Sequence, residues 1–237
     1  MRPGTARSGA CVTKETKRTE LFPEIEWAEK RRLAAAMRVI IEHLTRTDAP
    51  KADLIRQAEQ LESFGASLAG FPRRKGQEGY TEAANAGDVD AMFDHSPLIG
   101  LSNPLAPPLR LRVKEGRVVG TAVFGSAYEG PPGCVHGGFI AAAFDEMLGF
   151  AQSVTGNPGM TGTLQIRYRA PTPLHTELKL EAWVEKIETR KIFARGTIHA
   201  ESMLRAEAEG IFISVDAERF MKLIEQAEKR RHEPGEG

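Results

Sequence analysis

The sequence predicts an α+β fold in which one central helix is wrapped by a predominantly antiparallel sheet, with a helical extension ahead of it. Three observations carry that prediction. Strand-like segments follow one another rather than alternating with helices, which separates α+β from α/β. A single long apolar helix interrupts them after the second strand. Upstream, two segments repeat apolar residues at spacings of three and four, the mark of amphipathic helices.

The first helix is read over residues 24–44, "EIEWAEKRRLAAAMRVIIEHL", with Ile25, Leu33, Met37, Ile40, Ile41 and Leu44 on one face. A second runs over 51–68, with Leu54, Ile55, Ala58, Leu61 and Phe64. The short "TDAP" between them reads as the turn of a helical hairpin, a packing or lid element. A Gly-rich polar stretch, "RRKGQEGYTEAANAGD", follows as a linker or mobile loop. "DHSPLIGLSNPLAPPL" is irregular backbone. "LRLRV" and "RVVGTAVF" flank "KEG" as a hairpin. The central helix spans about 137–154. Strands are expected at 160–170, 174–189, 191–200 and 203–215, and a last amphipathic helix at about 217–230. The core order is therefore β-β-α-β-β-β-β. Residues 1–95 form an N-terminal disordered segment, hairpin and linker, 96–216 the main domain, and 217–237 a C-terminal helix and tail.

Lys+Arg and Asp+Glu both number 32 in 237 residues, giving zero net charge. That balance argues against nucleic acid as a partner, which leaves a basic footprint. No apolar run approaches the ~18–20 residues of a membrane helix. The first twenty residues lack the apolar centre of a secretory signal, so a cytoplasmic protein is expected. Cys11 and Cys134 have neither metal-ligand spacing nor a disulfide framework. Cys134 reads as a small buried spacer rather than a catalytic thiol.

The informative stretch is "YEGPPGCVHGGFIAAAFDEMLGF", residues 128–150. Its helix is apolar on nearly every side, so other structure should wrap it, and its three alanines should let a sheet approach. Only Asp145 and Glu146 interrupt it. Their side chains point about 100° apart, so they cannot flank one substrate as a carboxylate pair. At the helix start, Gly137 and Gly138 place unpaired N–H groups at the positive end of the dipole, with no side chain in the way. Such a start suits a carbonyl oxygen that develops negative charge. Asp145 lies eight residues beyond Gly137, about 12 Å along the axis. It cannot attend a carbonyl held at its own helix start. If both serve one reaction, they come from two copies of the chain.

At these residues the sequence resembles the hotdog-fold acyl-CoA thioesterases of the phenylacetate-degradation type, nearest to mammalian thioesterase superfamily members with an N-terminal extension. "YEGPPGCVHGG", Asp145 nine positions after His136, "TGTLQIRYRAPTPL", "ETRKIF" and "AEAEGIFI" follow that pattern in order, over about 96–215. The resemblance implies hydrolysis of a medium- or long-chain fatty acyl-CoA to free acid and CoA, at sites between two subunits of a homodimer or dimer of dimers. Gly137, with Gly138, would offer N–H groups to the thioester carbonyl, and His136 would orient the loop or contact that carbonyl. Asp145 of the other subunit would activate water, and Thr161 would hold the carboxylate or the water. Neither metal nor cofactor is implied, coenzyme A arriving as part of the substrate. Arg167, Arg169, Arg190 and Lys191 would serve the nucleotide or pantetheine end.

The sequence departs from the pattern in one place. Some members carry an Asn shortly before HGG as a second carbonyl donor, and "YEGPPG" has none. His136 or a backbone N–H would take its place. A second branch of the fold uses Glu, which makes Glu146 a rival to Asp145, though counting from His136 favours Asp145. An acyl-thioester hydratase or dehydratase, and a non-catalytic acyl-CoA-binding regulator, are the alternative functions.

Overall fold

The structure, a computed structural model, describes residues 24–71, 94, 96–107, 109–156 and 159–214, with the side chains of 24–27 excepted. The polar linker and the C-terminal helix expected from the sequence lie outside the described residues, as does the N-terminal segment.

Two helices, α1 (Glu24–Leu44) and α2 (Lys51–Ala69), precede the domain. Strands β1 (Arg110–Lys114) and β2 (Arg117–Ala122) form the expected hairpin. Glu115 and Gly116 turn it with φ of 51° and 75°, the pair of positive values that matches strand twist in a two-residue turn. A short 3-10 turn, Ser126–Tyr128, leads to α3 (Gly137–Ser153). Four strands complete the chain: β3 (Gly159–Tyr168), β4 (Leu178–Glu188), β5 (Lys191–Ala200) and β6 (Met203–Ser214). They make one six-stranded sheet in the order β1-β2-β4-β5-β6-β3, antiparallel at every pairing. The β-β-α-β-β-β-β order holds. The chain crosses the sheet through α3, so β3 lands on the far edge beside β6 rather than next to β2.

α3 lies on the sheet by one face only. Ile140, Ala143, Phe144, Met147, Leu148 and Ala151 are buried there, against Leu178, Leu180, Ala182, Ile192, Ala194, Ile198, Ala206 and Ala208. Each large side chain removed from water contributes about 1.5–3 kcal/mol. Of the three alanines expected to admit the sheet, only Ala143 faces it. Ala141 and Ala142 are half-buried on other faces, and the sheet supplies the small residues. A Cβ on Gly196 would stand 3.2 Å from both Leu148 Cδ2 and Met147 Cε, so the strand is small where the helix is large. The opposite face of α3 carries Gly138 and Asp145, both exposed. The described residues therefore wrap the helix less completely than its composition suggests.

The helical hairpin is also modified. α1 is fastened to the domain chiefly by polar clamps. Arg31 Nε donates to buried Asp94 at 2.8 Å, and Ser102 donates to the other carboxylate oxygen. Arg38 Nη1 and Nη2 donate to the carbonyls of Asn103 and Leu101 at 2.9 and 3.2 Å. Glu42 accepts from the N–H and hydroxyl of Ser126 at 2.7 and 2.8 Å. Gly125 makes room for this last clamp, since a Cβ there would overlap the Glu42 carboxylate. α2 buries none of its residues, and Leu54, Ile55, Leu61, Phe64 and Leu68 remain exposed. A helix with such a stripe packs only where a second apolar face meets it, and α1 makes its polar clamps to the loop of residues 94–107 and to Ser126.

Candidate active site

The loop before α3 is stitched to itself and to the chain following β3. His136 N donates to Tyr128 O at 2.8 Å, Gly130 N to Cys134 O at 2.9 Å, and Val135 N to Thr172 O at 2.8 Å. Gly133 N donates to Glu129 Oε1 at 2.6 Å. A side chain at Gly130 would overlap His136. Cys134, a half-buried free thiol, bridges Pro173 through its backbone.

This loop delivers His136 to the N-cap of α3, with extended φ and ψ of −60° and 132°. Its Nδ1 accepts the N–H of Gly138 at 3.0 Å. A neutral ring in that bond carries its proton on Nε2, which is left to donate elsewhere. Phe139 N and Ile140 N both bond to His136 O, at 2.9 and 3.4 Å. Of the four N–H groups that a helix start leaves unpaired, only that of Gly137 has no partner among the described residues. The oxyanion pair expected at Gly137 and Gly138 thus narrows in this chain to one free N–H, because the histidine cap takes the other.

Asp145 lies two turns further on, exposed on the face turned from the sheet. Thr161 Oγ1 donates to its Oδ1 at 2.8 Å. A β-bulge makes this possible. The β3–β6 register shifts between Thr161 and Thr163, leaving Gly162 as the extra residue. Strict alternation would send Thr161 to the same side as Gln165 and Arg167; the bulge turns it toward the helix.

Glu146, the rival carboxylate, is in a different setting from Asp145. It is half-buried under the loop of residues 96–103, and Ser96 Oγ donates to it at 3.4 Å. Burial pushes its carboxyl above the usual range; the Ser96 bond opposes this and the charge of Asp145 adds to it.

The four proposed basic residues fall at two ends of the sheet. Arg167 and Arg169 lie near the start of α3 and are ion-paired across the strand, Arg167 Nη1 to Glu209 at 3.0 Å and Arg169 Nε to Glu207 at 3.1 Å. Arg190 and Lys191 lie at the other end. Lys191 is in register with Ile213, which is in register with Met160, next to Thr161. Arg190 Nη2 makes a long 3.4 Å bond to Ser214 O. The hydroxyl of Tyr168, a residue the sequence does not single out, donates to Gly137 O at 2.9 Å. Nothing in a strand pattern says which helix carbonyl a tyrosine will reach.

A central helix laid on a six-stranded antiparallel sheet, with an HGG helix start and an Asp–Thr pair, defines a hotdog-fold protein of the thioesterase kind. The family profile described as "Thioesterase superfamily" matches residues 132–207. A crystal structure of a thioesterase superfamily protein is 34% identical, with a TM-score of 0.67, the match covering 78% of this chain and 94% of that one. The chain belongs to the thioesterase superfamily. Among curated proteins, it is 40% identical over 93 residues to the acyl-coenzyme A thioesterase THEM4 of Xenopus laevis, covering 38% of this chain and 42% of the relative. It is 30% identical over 96 residues to THEM5 of Homo sapiens, covering 40% and 39%. The matches thus span less than half the length of these curated relatives. Among the described residues, no helix is long and apolar enough to cross a membrane.

Proposed function

We propose that this protein is an acyl-CoA thioesterase, hydrolysing a medium- or long-chain fatty acyl-CoA to free acid and CoA. The observation that carries the reading is the Thr161–Asp145 bond at 2.8 Å, on the open face of a helix whose first N–H is free. The names of the THEM4 and THEM5 relatives support it.

Asp145 and Gly137 of one chain are about 12 Å apart along the helix. The site is therefore composite, built in a homodimer whose α3 helices run antiparallel. Asp145 and Thr161 of one subunit meet the HGG of the other. The same arrangement gathers Arg190 and Lys191 from one subunit, and Arg167 and Arg169 from its partner, around one CoA. The exposed edge strand β3, with Met160 and Tyr168 more than half exposed, supports this interface.

In the reaction, the Gly137 N–H takes the thioester oxygen as it gains charge, backed by the helix dipole. Thr161 occupies Oδ1 of Asp145, leaving Oδ2 to accept a proton from water. The resulting hydroxide attacks the carbonyl carbon. The tetrahedral intermediate expels the CoA thiolate, which recovers the proton from Asp145. Half-buried Phe139 and Tyr128, ring centroids 4.9 Å apart, give the acyl chain an apolar wall beside HGG. The free thiol of Cys134 and the balanced charge suit the cytoplasm, with a role in lipid metabolism.

The test is release of CoA from a panel of acyl-CoAs. Asp145→Asn should lower turnover by orders of magnitude while the dimer and melting temperature stay unchanged. Wild-type turnover in that variant sinks the assignment. Binding without turnover on any acyl-CoA would favour a non-catalytic regulator.

A further inference from the structure

We infer that Tyr168 is a positioning residue for this reaction: by fixing the Gly137–Gly138 peptide it restrains the torsions of Gly137, whose free N–H lies in the adjoining His136–Gly137 peptide. The inference rests on the thioesterase reading above and adds to it a residue outside the HGG and Asp–Thr pairs.

The peptide between Gly137 and Gly138 is a rigid plane, its carbonyl at one side and its N–H at the other. Both are held. The carbonyl accepts from the Tyr168 hydroxyl at 2.9 Å, and the N–H donates to His136 Nδ1 at 3.0 Å. A carbonyl has two lone pairs, so the tyrosine adds to the helix ladder rather than replacing it. Two consecutive glycines have more torsional freedom than any other pair. Without outside restraint, the first turn of α3 would hold its N–H groups loosely. A preorganised donor needs the opposite. The tyrosine ring stands 3.5 Å from the point a Gly137 Cβ would occupy, so it also packs against the backbone it bonds.

Two side-chain bonds to α3 come from one edge strand. Thr161 and Tyr168, on either side of the bulge at Gly162, tie β3 to α3 at Asp145 and at Gly137. One strand therefore sets the spacing of the two halves of the machinery, and each half serves a different composite site.

Tyr168→Phe keeps the ring and removes only the donor. We expect kcat to fall about three- to tenfold, the worth of one hydrogen bond to a backbone group, with KM unchanged. The Gly137 and Gly138 amide signals in NMR spectra should move while those of the sheet stay put. His136→Ala frees the other side of the same peptide. The losses in kcat of the two variants should therefore be non-multiplicative when combined. An unchanged kcat, or a rise in KM alone, overturns the inference; the latter would mean that Tyr168 touches substrate. Asp145→Asn, run in parallel, separates the two levels. An inactive Asp145→Asn beside a fully active Tyr168→Phe sinks the positioning role only. An active Asp145→Asn sinks the underlying reading.

Discussion

Thr161 Oγ1 donates to Asp145 Oδ1 at 2.8 Å across the gap between the edge strand and the central helix, and a single extra residue, Gly162, puts it there. The bond leaves one carboxylate oxygen committed and one free. Thr161→Ala should cut kcat about 10- to 100-fold, a part of the roughly 10²–10⁴-fold that a general base contributes. Thr161→Ser, which keeps the donor, should recover most of it. Steady-state kinetics on one acyl-CoA distinguishes the two, and an equal loss in both variants would mean that the threonine methyl, not the hydroxyl, matters.

The lone free N–H at the start of α3 allows an unusually direct removal. Proline is favoured at the first helical position, where it lacks only an N–H that the helix does not use. His136 already has the extended backbone that a following proline demands. Gly137→Pro should therefore fold with a near-native melting temperature while losing about 10²–10³ in kcat, the effect of deleting one oxyanion donor. Full activity in a folded Gly137→Pro protein would remove Gly137 from the mechanism.

Glu146 gives a pH-dependent stability. Its folded pKa is raised by burial above the ordinary 4.5. A raised carboxyl favours the fold at low pH and loses that contribution as pH rises through the folded value. Glu146→Gln, which retains an acceptor for Ser96, should melt higher than wild type at pH 7. The difference should vanish below about pH 4.5. A gap that is constant with pH, or of the opposite sign, rules out this account.

The Glu42 clamp has the reverse sign. Burial pushes its carboxyl up, but the two Ser126 donors, His175 and Arg46 outweigh this and hold it below the ordinary range. Its contribution is present at neutral pH and is lost as pH falls through the folded value. Glu42→Gln should cost about 1–2 kcal/mol at pH 7, a charged hydrogen-bond pair discounted for partial exposure. Limited proteolysis should then cut between α1 and the domain sooner than in wild type. Unchanged proteolysis and denaturation would mean that the Arg31 and Arg38 contacts hold α1 by themselves.

Much of this molecule was legible in its residues alone, because the deciding signals are local. Alternation marks strands, three-and-four spacing marks helices, and "HGG" ahead of an apolar run marks a helix start, each set by neighbours within a few positions. The order β-β-α-β-β-β-β follows from such patterns, and the choice of Asp145 over Glu146 from the family resemblance of the motif around it. What needed tertiary structure was every feature settled by residues distant in sequence. The crossover carries β3 to the far edge beside β6. The bulge at Gly162 overrides alternation and turns Thr161 to the helix. The loop over Glu146 buries a carboxylate that the helix pattern leaves free. The His136 cap consumes one of two glycine N–H groups, and Tyr168 reaches the carbonyl of Gly137 from 31 positions away. Local propensity fixes what each segment is. Only packing, which weighs all segments at once, decides which side chains meet.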